Sequence, residues 1–143
     1  MRSMKPALLS RWTRRRQAHC QTLWDAGRRL PGLRVPALPE AAEHAGYKGY
    51  VFVEPEALNP GWSRDRVMTA MVERGVPCFS GSCSEVYLER CFQDAGLAPA
   101  RPLPVARELG ETSLMFLVHP TLEDADMQRT VCALAEVMNE AAG

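Results

Sequence analysis

Long apolar runs are what this chain most plainly lacks. The longest, at 114–118, falls far short of the roughly 20 residues a membrane-spanning helix needs, and its length suits a buried strand instead. Basic residues near the start are not followed by the apolar stretch of a secretory signal. A cytoplasmic protein without membrane contact is therefore expected. Net charge is missing as well, since 17 Lys and Arg balance 17 Asp and Glu. The five cysteines (Cys20, Cys78, Cys83, Cys91 and Cys132) are odd in number, show no repeated spacing and include no Cys-x-x-Cys pair. That argues against a disulfide framework and a zinc site, and leaves reduced, partly buried thiols; no metal is expected. No Gly-Lys-Ser/Thr occurs, so a Walker-type nucleotide loop is excluded.

What is present describes one ordinary globular domain. The chain has 143 residues, of which 46% are apolar and 24% charged. A domain of that size buries roughly 70% of the surface its unfolded chain would expose, enough for its own core. Charge is unevenly spread: nine of the basic residues lie within the first 34 positions, against one acid there, Asp25. Arg11, Arg14, Arg15 and Arg16 invite a nucleic-acid reading, yet no reading motif accompanies them and the acidic remainder would repel phosphates. A solvated or domain-bridging helix is the better reading. Its Trp12, Cys20, Leu23 and Trp24 would form a face for docking on a partner, with His19 exposed.

Start and stop signals place the elements. One helix runs from an N-cap at Ser63 to a stop at Gly75, with Val67, Met68, Met71 and Val72 on one face and Trp62 placed to staple against Val67. A second is expected from Ser82, with Glu85 as capping-box partner, to Gly96; its inner face would be Tyr87, Leu88, Cys91 and Phe92. A third starts at Thr121 and runs nearly to the end. Glu123, Asp124 and Asp126 crowd its first turns, where carboxylates favour the positive end of the helix dipole, and Met127, Val131, Leu134, Ala135 and Met138 form its stripe. A fourth covers about 7–29, before the Pro31-Gly32 turn. Strands are expected at 33–35, 50–53, 76–79 and 113–118, the last covered on both sides because it is apolar at consecutive positions. The proline-rich segment 97–104 reads as a connection. The fold class is α/β: a two-layer sandwich of a small sheet packed with helices, preceded by a long N-terminal helix.

Chemistry-bearing residues are sparse. The stretch Ser80-Gly81-Ser82-Cys83-Ser84, between an expected strand and an expected helix, leaves backbone N–H groups open at a helix N-terminus and suits an anion, although an ordinary capped turn is the simpler reading. Of the histidines, His44 precedes Tyr47 and Lys48 and is placed to line a cleft. His119 ends an apolar strand and reads as a packed boundary residue. No partner carboxylate or nucleophile is fixed for any histidine, so no catalytic residue is assigned.

Taken in order, several stretches resemble one family. Arg11-Trp12-Thr13-Arg14-Arg15-Arg16 followed by a helix, then Leu33-Arg34-Val35-Pro36, looks like the lead into the small domain of the pyridoxal-phosphate sugar aminotransferases, the DegT/DnrJ/StrS group. His44-Ala45-Gly46-Tyr47-Lys48-Gly49-Tyr50-Val51-Phe52-Val53 resembles that family's His-x-x-Tyr-x-x-Tyr entry into the first long small-domain strand. Ser63-Arg64-Asp65 through Glu73-Arg74-Gly75-Val76 is similar to its helix with an Arg-Gly-Val/Ile turn, and Glu111-Thr112-Ser113 through His119-Pro120-Thr121-Leu122 fits its closing stretch. Two departures stand out. The loop after Val76, Phe79 to Tyr87, is shorter than the family's and has no histidine, and Gly46 stands where an aromatic is common.

The resemblance implies a dimeric fold-type-I aminotransferase that moves an amino group from an amino acid to a keto sugar on a nucleotide. Pyridoxal phosphate would be held as a Schiff base by a lysine of a large domain. The only lysines here, Lys5 and Lys48, stand in no matching context. The expectation is therefore a C-terminal substrate-side domain whose small sheet is mainly antiparallel, with a linking helix at 1–30 and the small domain at 31–143, inactive without its lysine domain. Substrate-facing candidates are His44, Tyr47, Ser80, Ser82, Ser84 and Tyr87. The partner would be a large domain or a homologous aminotransferase subunit; the alternative is a non-catalytic module that docks on a full-length aminotransferase.

Overall fold

A stretch free of internal proline and glycine opens the fold. The computed structural model describes residues 6–143, which open in helix α1 (Pro6–Gly27). The Pro31-Gly32 turn leads to strand β1 (Leu33–Arg34), followed by β2 (Gly49–Val53), helix α2 (Arg64–Glu73), β3 (Cys78–Phe79), the short α3 (Arg90–Asp94), α4 (Pro104–Thr112), β4 (Ser113–Phe116) and α5 (Asp124–Ala142). Single 3-10 turns lie at Pro55–Ala57 and Val86–Leu88.

The strands form one antiparallel sheet in the order β1-β2-β4-β3. Register pairs Val51 with Leu114, Gly49 with Phe116, and Phe116 with Cys78. Because side chains alternate across a strand, Leu33, Val51, Val53, Cys78, Leu114 and Phe116 share one face. That face joins Cys20, Leu23 and Trp24 of α1, Val67 and Met71 of α2, and Met127, Leu134, Val137 and Met138 of α5 in a single hydrophobic cluster. The other face carries Arg34, Tyr50, Phe52, Phe79 and Met115, and it receives α4 and the 80–88 loop. Arg34 stacks 4.6 Å over the Phe52 ring and pairs with Glu108 of α4 at 3.3 Å. All four β4 residues are buried, as expected of a central strand covered on both sides.

Helix ends follow the local chemistry. Ser63 Oγ accepts from the Arg66 N–H (3.2 Å), and Gly75 follows at φ +75°, a conformation that stops the helix. The last helix starts later than Thr121 because Glu123 and Asp126 form a reciprocal capping box, with the Glu123 N–H donating to Asp126 at 2.9 Å. That hydrogen bond, then Arg129, holds the Asp126 carboxyl below its ordinary range.

Three expectations fail. No continuous helix covers 82–96: residues 80–85 form a loop, then a 3-10 turn and a five-residue helix follow. Leu88, Cys91 and Phe92 are exposed, so the inner face assigned to them does not exist, and only Tyr87 is buried. Helix α4 was not anticipated, because its Pro104 reads as linker yet serves as the start of a helix. The docking face expected on α1 is consumed internally, with Leu23 fully buried and Trp24 6% exposed. Exposed apolar side chains lie elsewhere, among them Phe79, Val86, Leu88, Leu97, Leu103 and Val105. Among the described residues no helix is long and apolar enough to cross a membrane.

Candidate functional site

The loop after β3 crosses the sheet face opposite the hydrophobic cluster, beside α4, and is fixed there from three sides. Ser113 Oγ of β4 donates to the Ser80 carbonyl at 2.6 Å. Gly81 takes φ +94°, and a Cβ there would meet the Tyr50 ring at 2.6 Å, so only glycine lets the loop lie this close. Gly110 of α4 packs against Ser84, whose Oγ would be 2.2 Å from a Cβ at that position. The result is an open cleft of about 400 Å³ lined by Ser80, Ser82, Ser84, Arg64, Glu85 and Glu89.

Two cations serve this cleft. Arg64, the first residue of α2, has a mostly buried side chain; its Nε donates to Asp65 at 2.7 Å and its Nη1 to the Ser113 carbonyl at 3.1 Å. Lys48, from the segment entering β2, donates to Ser82 Oγ at 3.4 Å. Against them stand Glu85 and Glu89. Cys83 donates to Glu89 at 3.6 Å, and partial desolvation together with that carboxylate raises its thiol pKa, so no reactive thiolate is prepared here. A ring of hydroxyls with charges of both signs suits a polyhydroxylated ligand better than bare phosphate. Neither the capped helix start favoured at Ser82 nor the anion site it could have offered is formed, since no helix begins there.

The six substrate-facing candidates divide. Ser80, Ser82 and Ser84 share the cleft. Tyr47 does not line it: the residue is 78% exposed, with the Lys48 ammonium 5.8 Å from its ring. Tyr87 braces the loop: its hydroxyl donates to Glu85 at 2.6 Å and accepts from the Leu103 N–H at 3.0 Å. The first of these bonds is the main reason its phenol pKa is raised. His44 is held against α1, its carbonyl accepting from Gln17, its Nδ1 from the Gly46 N–H at 3.1 Å, and its ring centroid 5.8 Å from that of Trp24. Arg64 and Lys48 went unassigned in the sequence; a basic residue directly after an N-cap and another beside the His-x-x-Tyr stretch were the available signals.

The remaining histidines also move from their expected places. His119 is exposed, its ring Nδ1 2.7 Å from Thr121 Oγ1, rather than packed at a boundary. His19 is buried, not exposed. Among the described residues no group of carboxylates, histidines and cysteines is arranged to hold a metal. Among the described residues the donors do not fit a covalently held pyridoxal phosphate. Lys48 is engaged with Ser82, no aspartate lines the cleft for a pyridine nitrogen, and Lys5 lies outside the described residues.

Fold and site together define a class: a two-layer α/β unit with a polar, hydroxyl-rich cleft that no histidine lines. The chain belongs to the DegT/DnrJ/EryC1/StrS aminotransferase family, whose sequence pattern matches residues 4–135. The X-ray structure of the aminotransferase from Psychrobacter cryohalolentis is 45% identical with a TM-score of 0.88, over 96% of this chain and 37% of that one. DesV from S. venezuelae, solved in complex with a ketimine intermediate, is 24% identical with a TM-score of 0.76, over 91% of this chain and 33% of that one. TlmJ, an aminotransferase from Streptoalloteichus hindustanus, is 20% identical with a TM-score of 0.77, over 93% and 33%. At these two lower identities the likeness is one of fold. The chain spans well under half the length of each of these structures. No curated protein matches its sequence.

Proposed function

We propose that this chain is the C-terminal, substrate-side part of a pyridoxal-phosphate-dependent nucleotide-sugar aminotransferase, working with a lysine-bearing large domain and inactive without it. The observation that carries this reading is the cleft of Ser80, Ser82, Ser84, Arg64 and Lys48, set on a fold with 45% identity to an aminotransferase. In this role the cleft hydroxyls accept and donate to sugar hydroxyls, while Arg64 and Lys48 draw the anionic end of the substrate. Tyr87 holds the loop in place through Glu85 and Leu103. Bound on the large domain, the cofactor supplies the electron sink for moving the amino group. The exposed apolar side chains between Phe79 and Val105 suit a surface covered by that other domain or by a homologous subunit.

The test is to mix the purified chain with pyridoxal phosphate and record the absorbance of lysine-bound cofactor. No stoichiometric band is expected. A strong band that disappears in Lys48→Ala would overturn the claim that the chain lacks its own cofactor lysine. The docking alternative draws on the same apolar residues. Size-exclusion chromatography separates it, because a clean monomer that ignores added full-length aminotransferase would remove it.

A further inference from the structure

The arginines of α1 have no part in the cleft described above, and next to them lies an unpaired buried atom. His19 is 3% exposed, and its Nδ1 lies 3.3 Å from the Val118 carbonyl. A carbonyl oxygen only accepts, so Nδ1 carries the ring proton and Nε2 presents a lone pair. Nε2 is buried and has no hydrogen-bond partner among the described residues. Buried polar atoms are almost always paired, and one left over calls for a donor.

His19 forms part of the wall of a cleft of about 580 Å³ between α1 and the start of α5, together with Arg11, Arg14, Arg15, Asp124 and Gln128. Arg15 is already engaged, donating to the Leu122 carbonyl at 3.0 Å and pairing with Asp124 at 3.2 Å. Arg11 and Arg14, three residues apart and so neighbours on the helix surface, pair with no carboxylate among the described residues. Two free guanidinium forks beside a buried acceptor make an asymmetric demand on a ligand. The forks require anionic oxygens, and Nε2 requires a hydroxyl hydrogen.

We propose that this cleft binds the hydrogen phosphate ion. Its charged oxygens accept from Arg11 and Arg14, and its P–OH donates to His19 Nε2. Sulfate offers the same oxygens without the hydroxyl. A phosphate monoester, whose second ionisation falls at about 6, has largely lost that hydroxyl at neutral pH. The site is separate from the serine loop, so the proposal stands or falls independently of the aminotransferase reading.

The test is a calorimetric titration of the 143-residue chain near neutral pH, at fixed ionic strength, with inorganic phosphate, sulfate and glycerol phosphate. Phosphate is expected to bind saturably and about tenfold more tightly than either of the others, the worth of one hydrogen bond to a buried acceptor. Arg11→Gln/Arg14→Gln, a change at exposed positions, should weaken phosphate by about tenfold or more while leaving the far-ultraviolet circular dichroism unchanged. The Nε2 nitrogen resonance of His19 should shift with phosphate and not with sulfate. Equal binding of the three anions would mean general charge attraction and would overturn the proposal, as would a motionless His19 resonance or no saturable binding. Tight duplex DNA binding that phosphate does not compete for would assign the arginines to nucleic acid instead and would likewise overturn it.

Discussion

Replacing Leu23 with alanine tests how firmly α1 is bound to the sheet. Leu23 is fully buried, and its Cδ2 fills a notch over β2: a Cβ on Gly49 would come within 2.9 Å of that atom and of Val118 Cγ1. Gly49 has no side chain to swing into the space, and β2 is held by β1 and β4 on either side, so the site collapses poorly once the leucine is cut back. Buried leucine-to-alanine changes cost about 2–5 kcal/mol, rising with residual cavity, which places this one at about 3–4 kcal/mol. Against a usual total of about 5–15 kcal/mol that is a large share. With a urea slope of about 2 kcal/mol per molar, the midpoint followed by tryptophan fluorescence should fall by about 1.5–2 M at unchanged slope. Gly49→Ala alone overpacks the same notch and should cost about 1–3 kcal/mol. In the double variant the new methyl occupies part of the vacated space, recovering at least about 1 kcal/mol of the sum. A cost for Leu23→Ala below about 1 kcal/mol, or strict additivity, would refute the view that α1 is locked to β2 at this point.

Other outcomes follow from the same contacts. Tyr87→Phe removes the hydroxyl bridging Glu85 and Leu103, and should lower the urea midpoint and loosen residues 80–87 in amide exchange; unchanged exchange there would show that the brace does not hold the loop. Thiol titration of the native chain should find Cys91 and Cys132 quickly and Cys83 more slowly, because Glu89 disfavours its thiolate, with Cys20 and Cys78 reacting only on unfolding; five fast thiols would contradict the buried pair. Burial pushes the Cys20 thiol up to about 11 and Cys78 to about 12 from 9.0. Above pH 9 the unfolded chain therefore binds fewer protons than the folded one. Their contribution is constant below that point and falls as pH rises toward 11–12. A urea midpoint that stays level between pH 8 and pH 10 would argue against it.

Where sequence pattern and tertiary need agree, the fold can be read directly. The Ser63 cap, the Gly75 stop and the apolar spacing between them all point to one helix, and α2 is that helix. The five-residue apolar run marks the central strand for the same reason. The errors arise where local signals compete. Ser82 and Glu85 have capping-box spacing, yet the loop is drawn onto Tyr50 and β4 instead, and Glu85 is taken by Tyr87. Pro104 looked like a linker residue because two other prolines precede it, although proline is also a favoured helix opener. His19 was expected in solvent because Arg14, Arg15 and Arg16 stand close by. It instead shares the inward side of α1 with Cys20 and Leu23. Of the site, the serines were legible as a small-residue loop. Arg64 and Lys48 reach it only through the pairing of distant segments, which no local pattern records.

That pairing also has a consequence during synthesis. Gly49 meets Phe116 and Phe52 meets Ser113, so the two central strands close everything between them into one long loop. Contacts of such separation form slowly, since the chain must surrender the freedom of the whole loop before any strand hydrogen bond repays it. On a ribosome, α1 would emerge with Leu23 and Trp24 uncovered, could meet β2 early, and would wait for β4 and α5 to complete their burial. A nascent chain halted before residue 113 would thus lack both β4 and α5, and the apolar side of its first helix would have only β2 and its neighbours to pack on. Such a chain should be a ready client for holding chaperones and a source of aggregates if released early.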